Sequence, residues 1–242
     1  VCNDVDHLHA AWTSFLIKYN RGGVVQYGEL KRSGIEELDR YLRHLEGACP
    51  DAAARWPLPQ RLAYWINAYN AYAIKLVLTH YPVRSIRTIG LLSGAAFRQS
   101  FIPLAHVAGA VGKGRTMLSL NDLEHEILRK LGDPRIHFAL VCAAKGSPAL
   151  RPIAYRALEL TRQLDEASRL FVRDTTKNRY DSADRTLYLS MIFKWFEGDF
   201  KRAAGSVSSF VARYADPAIA PALGKGEVHV QYLEYDWGLN GQ

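Results

Sequence analysis

DPRIHFALVCAAKGSPAL, from Asp133 to Leu150, holds a nearly unbroken apolar run, Ile136 to Cys142, between turn-forming residues. A short apolar run bounded in this way predicts a buried strand. Gly146 predicts a tight turn. Ser147-Pro148 predicts a helix start, because Ser is a good N-cap and Pro suits the first helical position. His137 would then stand on a strand beside a helix N-terminus, where free N–H groups and the helix dipole favour a nucleophile or an oxyanion. Both residues also have ordinary explanations. A histidine in an apolar run is often a core residue with satisfied hydrogen bonds, and Ser before Pro is often only a cap.

Upstream, Leu62, Trp65, Ile66, Tyr69, Ala73, Leu76 and Val77 recur at helical spacing and predict a helix over 60–80. Asn67 and Asn70 are three apart and share a face of it. Their amides would either anchor neighbouring loops or point at a substrate carbonyl. Helices are also predicted over 6–20, over 33–47 with Ser33 as N-cap and Ile35, Leu38, Leu42 and Leu45 on one face, and over 122–131 with Asn121 or Asp122 as cap. Cys49 to Pro59 reads as a loop that joins an N-terminal helical extension, 1–57, to a core domain, 58–242. A hairpin is predicted around Gly109 to Gly114, where neither a Walker nor a Rossmann context occurs. Further expectations are a helix opening at Ser147-Pro148, helices near 160–173, 190–197 and 206–214, a hairpin over 178–189 and a last strand over 228–236. Asp236-Trp237 and Asn240 then form a terminal aromatic anchor. Helices and strands alternate without a βαβ rhythm, so the predicted class is α+β.

With 242 residues, 48% hydrophobic and 23% charged, the chain has the composition of a globular protein, not a disordered one. No apolar run reaches the ~18–20 residues of a transmembrane helix, so no membrane span is expected. Cys2, Cys49 and Cys142 lack metal-type spacing and allow at most one bridge. The chain begins Val-Cys-Asn-Asp, and a targeting segment is expected to have been removed. The net charge of +7 resides in residues 61–121, which hold seven Lys or Arg and no acid. That stretch is either a solvated basic face or a surface that attracts anions. Nucleic acid is not expected, because the basic residues are dispersed and no recognised binding signature occurs. In Glu124-His125-Glu126, Glu124 or His125 could orient His137 as the third member of a triad. Two exposed acids near the positive end of a helix are the ordinary alternative. Position 129 is Arg, so the zinc-protease pattern HExxH is absent. His7 and His9 lack further ligands, and neither metal nor cofactor is expected.

The blocks WINAYNAYAIKLVLTHYPVRSIRTIG, SLNDLEHEILRK, DPRIHFALVCAAKGSPAL, LSMIFKWFEGDF and YLEYDWGLNG together resemble the family called domain of unknown function 547. The resemblance runs from about Leu58 to Asn240 and more weakly over the N-terminal helices. It implies a bacterial protein with an export signal, in a periplasmic or envelope setting. It also implies a distant similarity to papain-like and transglutaminase-like cysteine hydrolases, whose core has an antiparallel sheet packed on helices. His137, Glu124, His125, Asn67, Asn70 and Cys142 fall on matching positions of the family pattern. Ser147 departs from it, since the usual Ser-Cys-Pro is Gly-Ser-Pro here.

The first expected function is an envelope hydrolase or acyl transferase. Ser147 would stand in for the Cys nucleophile, His137 would be the general base, and Glu124 or His125 would orient it. Asn67 or Asn70 would hold the oxyanion, with Trp65 and Cys142 as binding residues. Cys142 is disfavoured as nucleophile, because a thiol inside a buried apolar strand has a raised pKa and is inert. The alternative is a non-catalytic module, an inactive relative or an engineered knockout, that binds a peptide-like or anionic ligand in the same cleft.

Overall fold

The computed structural model describes residues 2–92, 94–225 and 227–241. α1 (Ala10–Tyr19) begins after Asp6, whose carboxylate accepts from the N–H groups of Leu8 and Ala10. It turns Trp12, Phe15, Leu16 and Tyr19 inward at helical spacing. Gly22 and Gly23, both at left-handed φ, turn β1 (Asn20–Arg21) back onto antiparallel β2 (Val24–Val25). The helix expected over 33–47 is α3 (Ile35–Glu46), and a short helix that was not expected, α2 (Tyr27–Ser33), precedes it. Ser33 is not a cap. It ends α2, and its hydroxyl donates to the Glu29 carbonyl. The corner is Gly34, where a Cβ would lie 2.6 Å from the Tyr19 ring. Ile35 is exposed, while Leu38, Leu42 and Leu45 are buried as expected.

The expected loop at 49–59 contains a one-turn helix, α4 (Pro50–Ala53). Cys49 just before it is bridged to Cys2, 47 residues away. In the chain-entropy view a closed loop of this length stabilises the fold by up to about 4 kcal/mol. Replacing both cysteines by Ser should lower the unfolding free energy in urea by a large part of that. A loss below about 1 kcal/mol would mean that the unfolded chain already keeps the two ends together.

α5 (Leu58–His80) lies where the periodicity places it, and residues 62–74 are buried on every side. It is therefore a central core helix, with α3 against it. Among the described residues of 86–119 there is no hairpin at Gly109 to Gly114. That segment holds a 3-10 turn (Ile86–Thr88), α6 (Ala95–Arg98) and a second 3-10 turn (Gly109–Gly112). Its antiparallel pairing is one bridge, Ile102 with Leu118. The helix expected at 122–131 is π-helical over Asp122–Leu128 and ends as a 3-10 turn, Arg129–Leu131. Its cap is Ser119, not Asn121 or Asp122. The Ser119 hydroxyl accepts from the Asp122 N–H, and the Asp122 carboxylate accepts from the Ser119 N–H.

The strand expected over 136–142 is a correction. Pro134–Phe138 is a 3-10 turn capped by Asp133, and the chain then runs irregularly to Cys142. The burial is as expected, but the backbone partners are side chains instead of a neighbouring strand. Asn70 Nδ2 donates to the Ala139 carbonyl, Asn70 Oδ1 accepts from the Val141 N–H, and Ser147 Oγ accepts from the Cys142 N–H. Nor does Ser147 open a helix, for residues 148–156 are irregular.

The C-terminal part follows its periodicity more closely. α7 (Leu160–Val172) precedes an antiparallel hairpin, β3 (Arg179–Asp181) and β4 (Thr186–Ser190). α8 (Met191–Trp195), α9 (Glu197–Ala204), α10 (Val207–Ala212) and α11 (Ala220–Gly224) follow. β5 (His229–Leu233) pairs parallel to β4, so the sheet is mixed, not purely antiparallel, in the order β3-β4-β5. The class is α+β. No helix among the described residues is long and apolar enough to cross a membrane.

Two apolar clusters form. One gathers α1, α2, α3, α5 and much of the chain from Ile86 to Leu140. The other gathers Phe138, α7, β4, α8, α9, α10 and Tyr235. The 3-10 turn at Pro134–Phe138 ties them, with Ile136 in the first, Phe138 in the second and His137 between.

Candidate functional site

A cleft of about 170 Å3 opens along this seam. Tyr69 and Leu140 come from one cluster, Ile192 and Tyr235 from the other, and Phe97, Trp195, Phe196 and Trp237 complete an aromatic wall. Its polar groups are Asn121, Glu124, His137, Cys142, Ser147 and Tyr235. Clefts between packed units that hold a few convergent polar groups are the usual place for a ligand.

His137 is buried, and its ring stacks on Phe196 at 3.8 Å between centroids. Its Nε2 lies 2.9 Å from Asp199 Oδ2. Asp199, in the first turn of α9, also receives a fork from Arg129, Nε at 2.7 Å and Nη2 at 3.0 Å, and an ion pair from Arg202. Burial by itself would raise the Asp199 carboxyl. The hydrogen bonds and charges of His137 and Arg129 outweigh it and hold the group far below the usual carboxylate range. An ionised Asp199 accepts from Nε2–H, which fixes the proton of neutral His137 there and leaves a lone pair on Nδ1. Burial, stronger than the pull of Asp199, keeps the imidazole below its ordinary pKa and so neutral near pH 7. Nδ1 is buried without a hydrogen-bond partner, and Glu124 Oε1 stands 3.8 Å from it. Burial pushes the Glu124 carboxyl up to about 7, against the opposing charge of Arg129.

Cys142, also on the cleft lining, is the free cysteine. Its sulfur lies 2.8 Å from Ser147 Oγ and 3.4 Å from the Tyr235 hydroxyl, and those two oxygens are 3.2 Å apart. Burial leaves the thiol above its ordinary pKa, as expected for Cys142, although hydrogen bonds from Ser147, Tyr235 and the Ala144 N–H oppose the rise. Ala143, next to the sulfur-bearing residue, adopts φ +61, which costs a non-glycine residue roughly 1 kcal/mol.

The structure thus brings Glu124, His137, Cys142 and Ser147 to one cleft and leaves four other candidates outside it. Asn67 exchanges two hydrogen bonds with the backbone of Tyr155, and Asn70 does the same with Ala139 and Val141, so both amides are occupied as loop anchors. Trp65 lines a separate pocket with Trp56 and Arg61. His125 accepts from Arg129 Nη1 at 3.1 Å and leans on Phe196. Ser147 Oγ is engaged by Cys142 and Tyr235, not by His137. The imidazole's partner on Nε2 is Asp199, which spacing could not reveal, since it lies 62 residues downstream. Tyr235 and Asn121 were likewise unmarked. Trp237, read as a terminal anchor, is part of the cleft wall. Among the described residues no group of three or more His, Cys, Asp or Glu is placed to hold a metal ion.

The model of the family described as protein of unknown function, DUF547, matches residues 53–172. The match takes in α5, Glu124, His137, Cys142 and Ser147 and ends before Asp199 and Tyr235. No curated protein and no solved structure matches the chain. Over residues 53–172, about half its length, this chain belongs to that family of unknown function.

Proposed function

We propose that the cleft performs acyl transfer or amide hydrolysis, with Cys142 as nucleophile and His137 as general base. One observation carries the reading. The unpartnered Nδ1 of an imidazole oriented by Asp199 belongs to the same cleft as the free thiol. Cys142 would pass its proton to Nδ1, and the thiolate would attack the substrate carbonyl. The imidazolium, held between Asp199 and Glu124, would then protonate the leaving amine or alkoxide. Water or an acyl acceptor, deprotonated by the same nitrogen, would release the thioester. Asn121 is the side-chain amide that lines the cleft and would face the oxyanion.

We place the nucleophile on Cys142 and not on Ser147 because the serine oxygen serves the sulfur and the Cys142 N–H. Ser147 and Tyr235 would instead donate to the developing thiolate and lower its pKa. A carboxylate–imidazole–thiol series is what the resemblance to papain-like hydrolases would require of this cleft. The Cys2–Cys49 bridge supports an envelope location, since such bridges persist in oxidising compartments. We keep 1–57 and 58–242 as extension and core, the former packed on α5.

The test is acylation by p-nitrophenyl acetate, read as p-nitrophenol release and as acetyl mass on a peptide. Acetyl is expected on Cys142, absent in Cys142→Ala, and slower by about a hundredfold or more in His137→Ala. Acetyl on Ser147 would restore the serine nucleophile. Acylation that ignores His137 would favour a binding module in the same cleft.

A further inference from the structure

We propose that the tip formed by Leu91 and Leu92 seats the mouth of the cleft on an anionic lipid surface. Leu91 is fully exposed and Leu92 is 70% exposed. Leu8, Ile17, Leu158 and Leu170 are exposed too, but each stands singly in the chain, as is ordinary for a protein surface. Two adjacent exposed leucines make a continuous apolar tip. The tip is held out by firm anchors. Ile89 and Ala96 are buried on either side, and Gly90 and Gly94 turn the chain at φ +89 and +74. A Cβ on Gly90 would come within 2.7 Å of the Ala95 Cβ, so the turn is packed as well as bent.

The tip joins the 3-10 turn Ile86–Thr88 to α6, and both of these reach the cleft wall. The Arg87 guanidinium sits 5.0 Å from the Trp237 ring, and the Phe97 and Trp237 rings are 6.2 Å apart. Arg84, Arg87 and Arg98 are exposed around the tip, and residues 52–121 contain no acid. Leucines within a cationic rim suit a bilayer interface. The aliphatic tip enters the acyl boundary and the guanidinium groups meet phosphate. A flat anionic surface takes up the aliphatic tip and the cationic rim together. The proposal does not rest on the acyl-transfer reading. It says how the cleft is presented, whatever it holds.

The experiment is co-sedimentation with phosphatidylcholine vesicles containing about 30% phosphatidylglycerol, compared with pure phosphatidylcholine. At low salt the protein should pellet with the anionic vesicles and stay in solution with the neutral ones. Leu91→Gln/Leu92→Gln should lower the partition by about tenfold or more, with an unchanged circular-dichroism melt. Raising salt to about 0.5 M should weaken binding severalfold. No pelleting with anionic vesicles, equal pelleting with both compositions, or undiminished binding of the double variant would overturn the proposal.

Discussion

Asp199→Ala is expected to cost about 3–5 kcal/mol of folding stability at pH 7, the largest single-residue loss in the site. The carboxylate is nearly buried and holds together groups from three places in the chain, His137, Arg129 and Arg202. Truncation leaves the His137 Nε2–H buried without an acceptor and strips Arg129 of its forked partner. Asp199→Asn keeps an acceptor for the imidazole and should lose roughly half as much. The pH dependence has a definite sign. The folded carboxyl lies below its ordinary value, so its stabilisation is present above about pH 4 and is lost as pH falls toward the folded value. Wild type and Asp199→Ala should therefore converge in urea unfolding as the solution is acidified. The acylation assay separates roles. Asp199→Asn should remain folded yet acylate Cys142 slowly, since its amide no longer stabilises an imidazolium. A stability loss under about 1 kcal/mol for Asp199→Ala would mean that the network is solvated and positions nothing.

What was legible in the sequence was local. α5, α7, the β3–β4 hairpin and β5 each carry their own signal in period or turn residues, and each appears where that signal lies. The apolar run at 136–142 misled because burial and strand are separable. Its polar backbone atoms are met by Asn70 and Ser147, so it needs no sheet. Those same hydrogen bonds explain why Asn70 is a scaffold and why Ser147 caps no helix. Glu124, His137, Cys142 and Ser147 were visible because they lie close in sequence. Asp199 and Tyr235 were not, because the contacts that define them span 62 and 93 residues. Only the docking of the second apolar cluster against the first brings them in, and no periodicity encodes that docking.

Glu124→Gln should stabilise the protein while slowing its acylation, both at the same pH. Burial raises the Glu124 carboxyl from 4.5 to about 7, so the folded state prefers it protonated. A raised carboxyl contributes stability that is full below about pH 4.5 and is lost as pH climbs through 7. At about one and a third kcal/mol per pKa unit, the charged form costs up to about 3 kcal/mol by pH 8. Gln has the same shape and no charge. Wild type and variant should match in urea unfolding near pH 4 and diverge toward pH 8, with the variant the more stable. Acylation should move the other way. At pH 8 the ionised Glu124, 3.8 Å from Nδ1, favours the imidazolium that forms when Cys142 gives up its proton. The variant lacks that charge and should lag there, with a smaller deficit near pH 5.5. A residue that merely packed would change stability alone. If the two proteins keep the same stability profile from pH 5 to 8, Glu124 is not the group that ionises, and the base would consist of His137 and Asp199 only.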